Sequence, residues 1–66
     1  MLGKISWYDV NKKRGYILGL DNEKYYFDYL CQVDINEIFC ENEQVLFIPF
    51  FEYEMPFATQ VEKAKD

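Results

Sequence analysis

Along most of this chain polar and apolar side chains alternate with the period of two that a half-buried β-strand requires, and turn signals interrupt the pattern too often for long helices. Residues 2–9 (LGKISWYD) alternate through Lys4, Ile5 and Ser6, before the adjacent rings of Trp7 and Tyr8 break the pattern. A turn over Val10 to Lys13 leads into residues 14–20 (RGYILGL), where the bulky Arg14, Tyr16, Leu18 and Leu20 alternate with Gly15, Ile17 and Gly19. The glycines predict a curved strand or a close backbone approach. Asp21-Asn22-Glu23 is a turn of residues that tolerate left-handed conformations, and it joins this strand to residues 24–29 (KYYFDY) as a hairpin.

Residues 30–42 (LCQVDINEIFCEN) form the longest stretch without strand alternation. Val33, Ile35, Ile38 and Phe39 are expected to plug one end of a barrel from a loop or a single helical turn, with Asn42 serving the turn that follows. Residues 43–51 (EQVLFIPFF) are the fourth strand, where Pro49 removes a ladder donor and argues for an edge position or a bulge. Val45 and Phe47 take the core parity there, while Leu46, Ile48 and Phe50 fall on the other face. The preferred expectation is a bulge at Pro49 that lets both sets pack; the alternative is an exposed apolar strip marking a dimer or partner contact. Glu52 to Pro56 is a connection, and Phe57 to Lys63 a fifth strand. Five short antiparallel strands in one domain spanning residues 1–66 predict an all-β fold, a small closed or nearly closed barrel. The oligonucleotide/oligosaccharide-binding (OB) fold is the commonest five-stranded form, and periodicity alone leaves a Src-homology-3-like barrel as its competitor.

A folded chain this short buries only roughly 60% of the surface its unfolded form exposes, which argues against a deep catalytic cavity. Hydrophobic residues make up 50% of the chain and aromatic residues 20%, far too much for a disordered tail. The net charge of −5 hides an asymmetry: residues 1–24 hold five cations against three acids, and residues 25–66 hold two against nine. A polyanion is therefore repelled from most approaches except one. That approach centres on KKRGYIL at 12–18, three cations and a glycine followed by a ring.

Cys31 and Cys40 are the only cysteines and there is no histidine, so one copy cannot assemble the usual four-ligand Cys/His zinc set; both thiols read as buried and free, and no cofactor is expected. With no basic-then-apolar leader and no apolar run near the roughly 20 residues of a membrane span, the reading is a cytoplasmic, soluble protein with reduced cysteines. The lack of histidine, of a glycine-rich phosphate loop and of metal-ligand spacing argues against an enzyme.

By strict alternation Arg14, Tyr16 and Leu18 share one face of the second strand, and Tyr26 and Asp28 share one face of the third. Hairpin pairing puts Tyr16 and Tyr26 on one surface, within reach of Trp7. Rings on a polar-edged surface suit unpaired nucleobases, because every base has a π-face and each base–aromatic stack is worth about 1–3 kcal/mol. The cations of KKR then track the phosphates. The plainer alternative is that these rings are core residues with one wet edge and that KKR is a solvated turn.

GKISWYD at 3–9, NKKRGYI at 11–17, YYFDY at 25–29 and MPFATQV at 55–61 resemble, in order and spacing, the bacterial cold-shock proteins, which typically read GKVKWFN, EKGFGFI, VFVHF and GPQAANV. The resemblance covers nearly the whole chain. It is strongest at Gly3-Lys4, Trp7-Tyr8, Lys12, Gly15-Tyr16-Ile17 and Pro56. It implies a five-stranded OB barrel of the cold-shock-domain type that binds single-stranded RNA or DNA with low sequence specificity, as an RNA chaperone or a regulator of transcription or translation. Carried over by position, it implies stacking by Trp7, Tyr16, Tyr26 and Tyr29, with Tyr8 beside them and Phe39 as a further loop aromatic. It also implies phosphate or base-edge contacts from Lys4 and Lys12.

Four positions depart from the family. Ser6 stands where the family has a second lysine, and Asp9 where it has an asparagine. Arg14 replaces the first phenylalanine of GFGF, and its guanidinium plane can still stack on a base. Asp28 replaces the histidine of VFVHF and puts an anion on the binding face, where a phosphate is repelled. These departures, with the strip at Leu46, Ile48 and Phe50, motivate a second reading from a different class: a diverged barrel that has lost nucleic-acid binding and acts in homodimerisation or with a protein partner. Monomer and homodimer both remain open.

Overall fold

Alternation is realised as five strands: β1 (Leu2–Asp9), β2 (Arg14–Gly19), β3 (Lys24–Asp28), β4 (Gln44–Glu52) and β5 (Met55–Lys63). A 3₁₀ turn at Tyr29–Cys31 follows β3. The computed structural model describes residues 1–64. The strands close into a barrel in the order β1-β2-β3-β5-β4, with β4 returning to β1, consistent with an OB fold.

The expected all-antiparallel sheet needs one correction, because β3 and β5 run parallel where Tyr26 pairs with Phe57. The cause is geometric. Directions cannot alternate all the way around a closed ring of five strands, so one neighbouring pair must run the same way. Gln32, just after the 3₁₀ turn, adds a second parallel bridge, to Val61.

Inside the barrel lie Ile5, Ile17, Tyr25, Phe27, Phe39, Val45, Phe47, Ala58 and Val61. All but Phe39 come from strands, at alternate positions except on β5, where Ala58 and Val61 are three apart. Of the four apolar residues expected to plug the barrel from the 30–42 segment, only Phe39 does so; Val33, Ile35 and Ile38 are exposed. The polar Gln32 is buried in their place, because its amide donates to the carbonyls of Asp34 and Glu37, both at 3.0 Å, and its Oε1 accepts from the Tyr8 hydroxyl at 3.2 Å. A buried amide with these partners carries no desolvation penalty large enough to expel it. The thiols are also more open than expected, with Cys31 half-buried and Cys40 exposed, both free.

Two bulges set which side chains face out. On β1, Ile5 pairs with Ile17 and Trp7 with Tyr16, which leaves Ser6 as an extra residue and reverses the parity between Ile5 and Trp7. On β5 the shift falls at Gln60, whose φ of 52° is left-handed; Leu46 pairs with Glu62 but Ile48 with Thr59. The bulge expected at Pro49 is absent, since pairing runs unbroken from Ile48 to Glu52. Phe47 exchanges backbone bonds with Met1, and Pro49, two residues on, turns its nitrogen to that same side, away from β5, so its missing donor costs no bond to β5. The strip stays exposed at Leu46 (43%) and Ile48 (49%), while Phe50 is half-covered. The connection expected over Glu52 to Pro56 is only the two-residue turn Tyr53-Glu54, so β5 begins at Met55.

Candidate nucleic-acid interface

The bulge at Ser6 decides the site. Without the extra residue Trp7 would follow Ile5 inward and Tyr8 would take the surface. With it, Trp7 is exposed (41%) directly across from Tyr16 (38%). Tyr16 in turn pairs with Tyr26, Tyr26 with Phe57, and Phe57 with Phe50. One ring from each strand thus lies in a continuous cross-strand row, with centroid separations of 6.0, 5.7, 5.9 and 5.4 Å in that order. The first three contacts are tilted or edge-on, at 41°, 62° and 78°, so neighbouring rings are splayed and each can offer a face. Phe57 and Phe50 lie nearly parallel, at 19°. Tyr29, in the 3₁₀ turn at the end of β3, is exposed as well.

Cations flank the first three rings. Lys4 and Arg14 project from the exposed positions of β1 and β2, Lys12 and Lys13 belong to the intervening turn, and Lys24 opens β3. Lys24 Nζ stands 5.6 Å from the centroid of the Tyr16 ring. Among the described residues the ion pairs are those of Lys63 with Glu43 (3.3 Å) and Glu37 (3.9 Å), so none of these five cations is engaged by a carboxylate.

The β1–β2 turn is held by Asp9. Its carboxylate Oδ1 accepts from the backbone N–H groups of Asn11 (2.9 Å) and Lys12 (3.3 Å), and its carbonyl accepts from Lys13 (2.7 Å). Lys13 takes the left-handed conformation, φ 52°, that closes the turn. The Asp9 anion therefore orders the segment that carries the lysines. Gly15 is needed for clearance: a Cβ there would come within 2.1 Å of the Trp7 carbonyl oxygen, at the bulge that turns Trp7 outward.

Asp28 lies across from Arg14 on the paired strand. Its Oδ1 accepts from the Leu30 backbone N–H at 2.9 Å and so caps the 3₁₀ turn that presents Tyr29.

Two expected contact residues are placed elsewhere. Phe39 is 2% exposed and packs edge-on against Tyr8 and Phe27, so it is a barrel plug and no base can reach its face. Tyr8 points inward, stacked on Phe27 at 6.0 Å, its hydroxyl shared between Gln32 Oε1 and the Glu37 carbonyl. Partial burial pushes the Tyr8 hydroxyl above its ordinary pKa. The parity shift at Ser6 turns Tyr8 inward, where its ring meets Phe39, the apolar plug supplied by the 30–42 segment.

Trp7, Tyr16, Tyr29, Lys4, Lys12 and Arg14 are exposed and Tyr26 is half-buried, while Phe57 and Phe50 join the row without an expectation from the sequence. The available signal was parity. Strand alternation groups Phe50 with Leu46 and Ile48, and placing it opposite Phe57 needs the two-residue turn. A second apolar area surrounds a shallow depression lined by Leu2, Leu18 and Leu20 with Lys4 and Gln44, and none of the rings borders it. No helix of the described residues is long and apolar enough to cross a membrane. Compared with known proteins, the chain matches no family model, and no curated protein sequence matches it.

Proposed function

We propose that this chain binds single-stranded RNA or DNA through the row of rings, as a diverged protein of the cold-shock type with low sequence specificity and an RNA-chaperone or regulatory role. The observation that carries the proposal is the row itself: Trp7, Tyr16 and Tyr26 stand in register on three strands with unengaged cations on either side. Apolar rings left in water are costly unless something covers them, and nucleobases cover them regardless of sequence. Stacking is the main source of affinity and the cations contribute a smaller, salt-sensitive part. Two to four neutralised phosphates give a log–log salt slope of about −1.4 to −2.8. No catalytic step is assigned.

Oligothymidine titrated against Trp7 emission tests the proposal. Quenching at micromolar concentration, with a shallow salt dependence, supports it; an unchanged spectrum at low salt removes it.

A second reading draws on the exposed Leu46 and Ile48, a strip that suits contact with another copy or a protein partner. Sedimentation separates the two. A dimer that hides Tyr16 and Tyr26 favours the second reading, and a monomer that binds oligothymidine rejects it.

A further inference from the structure

We infer that the bound strand continues past Tyr26 over Phe57 and onto Phe50, so that the surface has two unlike halves. The inference rests on the proposed single-strand binding and deepens it. The half formed by β1, β2 and β3 combines rings with cations. The half formed by β5 and β4 stacks bases without cations to hold their phosphates.

The register carries the first part of this inference. Tyr26, Phe57 and Phe50 are consecutive cross-strand partners, and their spacings of 5.9 and 5.4 Å continue those of Trp7, Tyr16 and Tyr26. The spacing does not end the row at Tyr26, although the last pair lies nearly parallel, at 19°, with each ring covering one face of the other. Both phenylalanines are half-exposed rather than sealed in the core.

The charges carry the second part. β4 contains no lysine or arginine, and the one cation of β5, Lys63, is engaged by Glu43 and Glu37. The hairpin formed by β4 and β5 instead holds Glu52, Glu54 and Glu62. A phosphate gains nothing there, whereas a base still gains from stacking, because that attraction does not depend on ionic strength as counterion release does.

The consequence separates charge from stacking along the strand. As an oligothymidine is lengthened, the salt slope stops growing once the strand has passed the cations. Affinity keeps rising until Phe57 and Phe50 are covered, by more than the proportional gain from extra binding registers. Anisotropy of end-labelled oligothymidines of increasing length, each titrated at several salt concentrations, reads both quantities. The pair of changes Phe57→Leu and Phe50→Leu keeps apolar bulk but removes the π-faces. It is expected to weaken the longest oligomers at least about tenfold, leave the shortest unchanged and leave every salt slope as it was. Phe57→Tyr with Phe50→Tyr restores the wild-type length dependence.

Saturation of affinity and salt slope at the same length, or a leucine variant with wild-type length dependence, overturns the extension and leaves single-strand binding standing. An absence of binding at every length overturns both. The wild-type series needs no variant, so it decides the matter even if the leucine pair does not fold.

Discussion

Tyr16 occupies the middle of the cationic half of the row, touching Trp7 on one side and Tyr26 on the other while Lys24 sits against its ring. Replacing it with alanine removes one stacking face and the platform for Lys24. Tyr16→Ala is expected to weaken oligothymidine binding by about 1–3 kcal/mol in a titration, with little change in thermal midpoint because the ring is exposed. Asp28 acts in the opposite sense. Its capping bond needs only an acceptor, which asparagine also supplies, whereas its charge opposes phosphates. Asp28→Asn should therefore tighten binding by about 1 kcal/mol, roughly the interaction of two unit charges 4 Å apart in water, at unchanged stability. A third residue reports on the fold alone. The Tyr25 ring is buried, and its hydroxyl donates to Asp21 Oδ2 at the surface; this bond, together with burial, pushes the Tyr25 pKa up to about 12 from 10.0, while the same bond holds Asp21 below its ordinary 3.8. A raised phenol pKa gives stability that is fully present below pH 10 and lost as pH rises through about 12. The lowered Asp21 value gives stability present above pH 3.8 and lost as pH falls through its folded value. Denaturation midpoints should fall across the alkaline window in the wild type, while Tyr25→Phe loses about 1 kcal/mol at neutral pH and falls less steeply there, the remaining fall coming from Tyr8.

At the scale of elements, the strands were legible and the devices that aim them were not. Alternation located β1, β2 and β3 to within a residue or so, because each buries one face and shows the other. The bulges were silent. Ser6 and Gln60 carry no glycine signal, although Gln60 takes a conformation that glycine adopts at no steric cost. The adjacency of Trp7 and Tyr8 was the visible trace of the first bulge. The β4–β5 turn was hidden for a similar reason: Tyr53 and Glu54 both have positive φ, 52° and 64°, the pattern of a tight hairpin turn that usually reads Asn-Gly. Tyr53 is 93% exposed, so its ring contributes no packing to offset that strain. Tyr53→Asn with Glu54→Gly is expected to raise stability by about 1–2 kcal/mol in urea denaturation, with binding unchanged.

At the scale of the whole molecule, the five-stranded barrel followed from strand count and chain length, and its single parallel contact follows from closing an odd ring. The charge asymmetry was equally readable and becomes spatial once folded, with cations around β1 to β3 and acids along the β4–β5 hairpin. The full length of the ring row was not readable, since Phe57 and Phe50 meet Tyr26 only through the closure of β3 on β5. What the barrel does with that row is the central question, and stacking must be distinguished from charge. The most direct measurement is Trp7 emission titrated in parallel with oligothymidine and with an abasic phosphodiester of equal length and charge. Strong quenching by the first and little response to the second is the predicted result. Equal responses to both, or none to either, would contradict a surface built to receive bases.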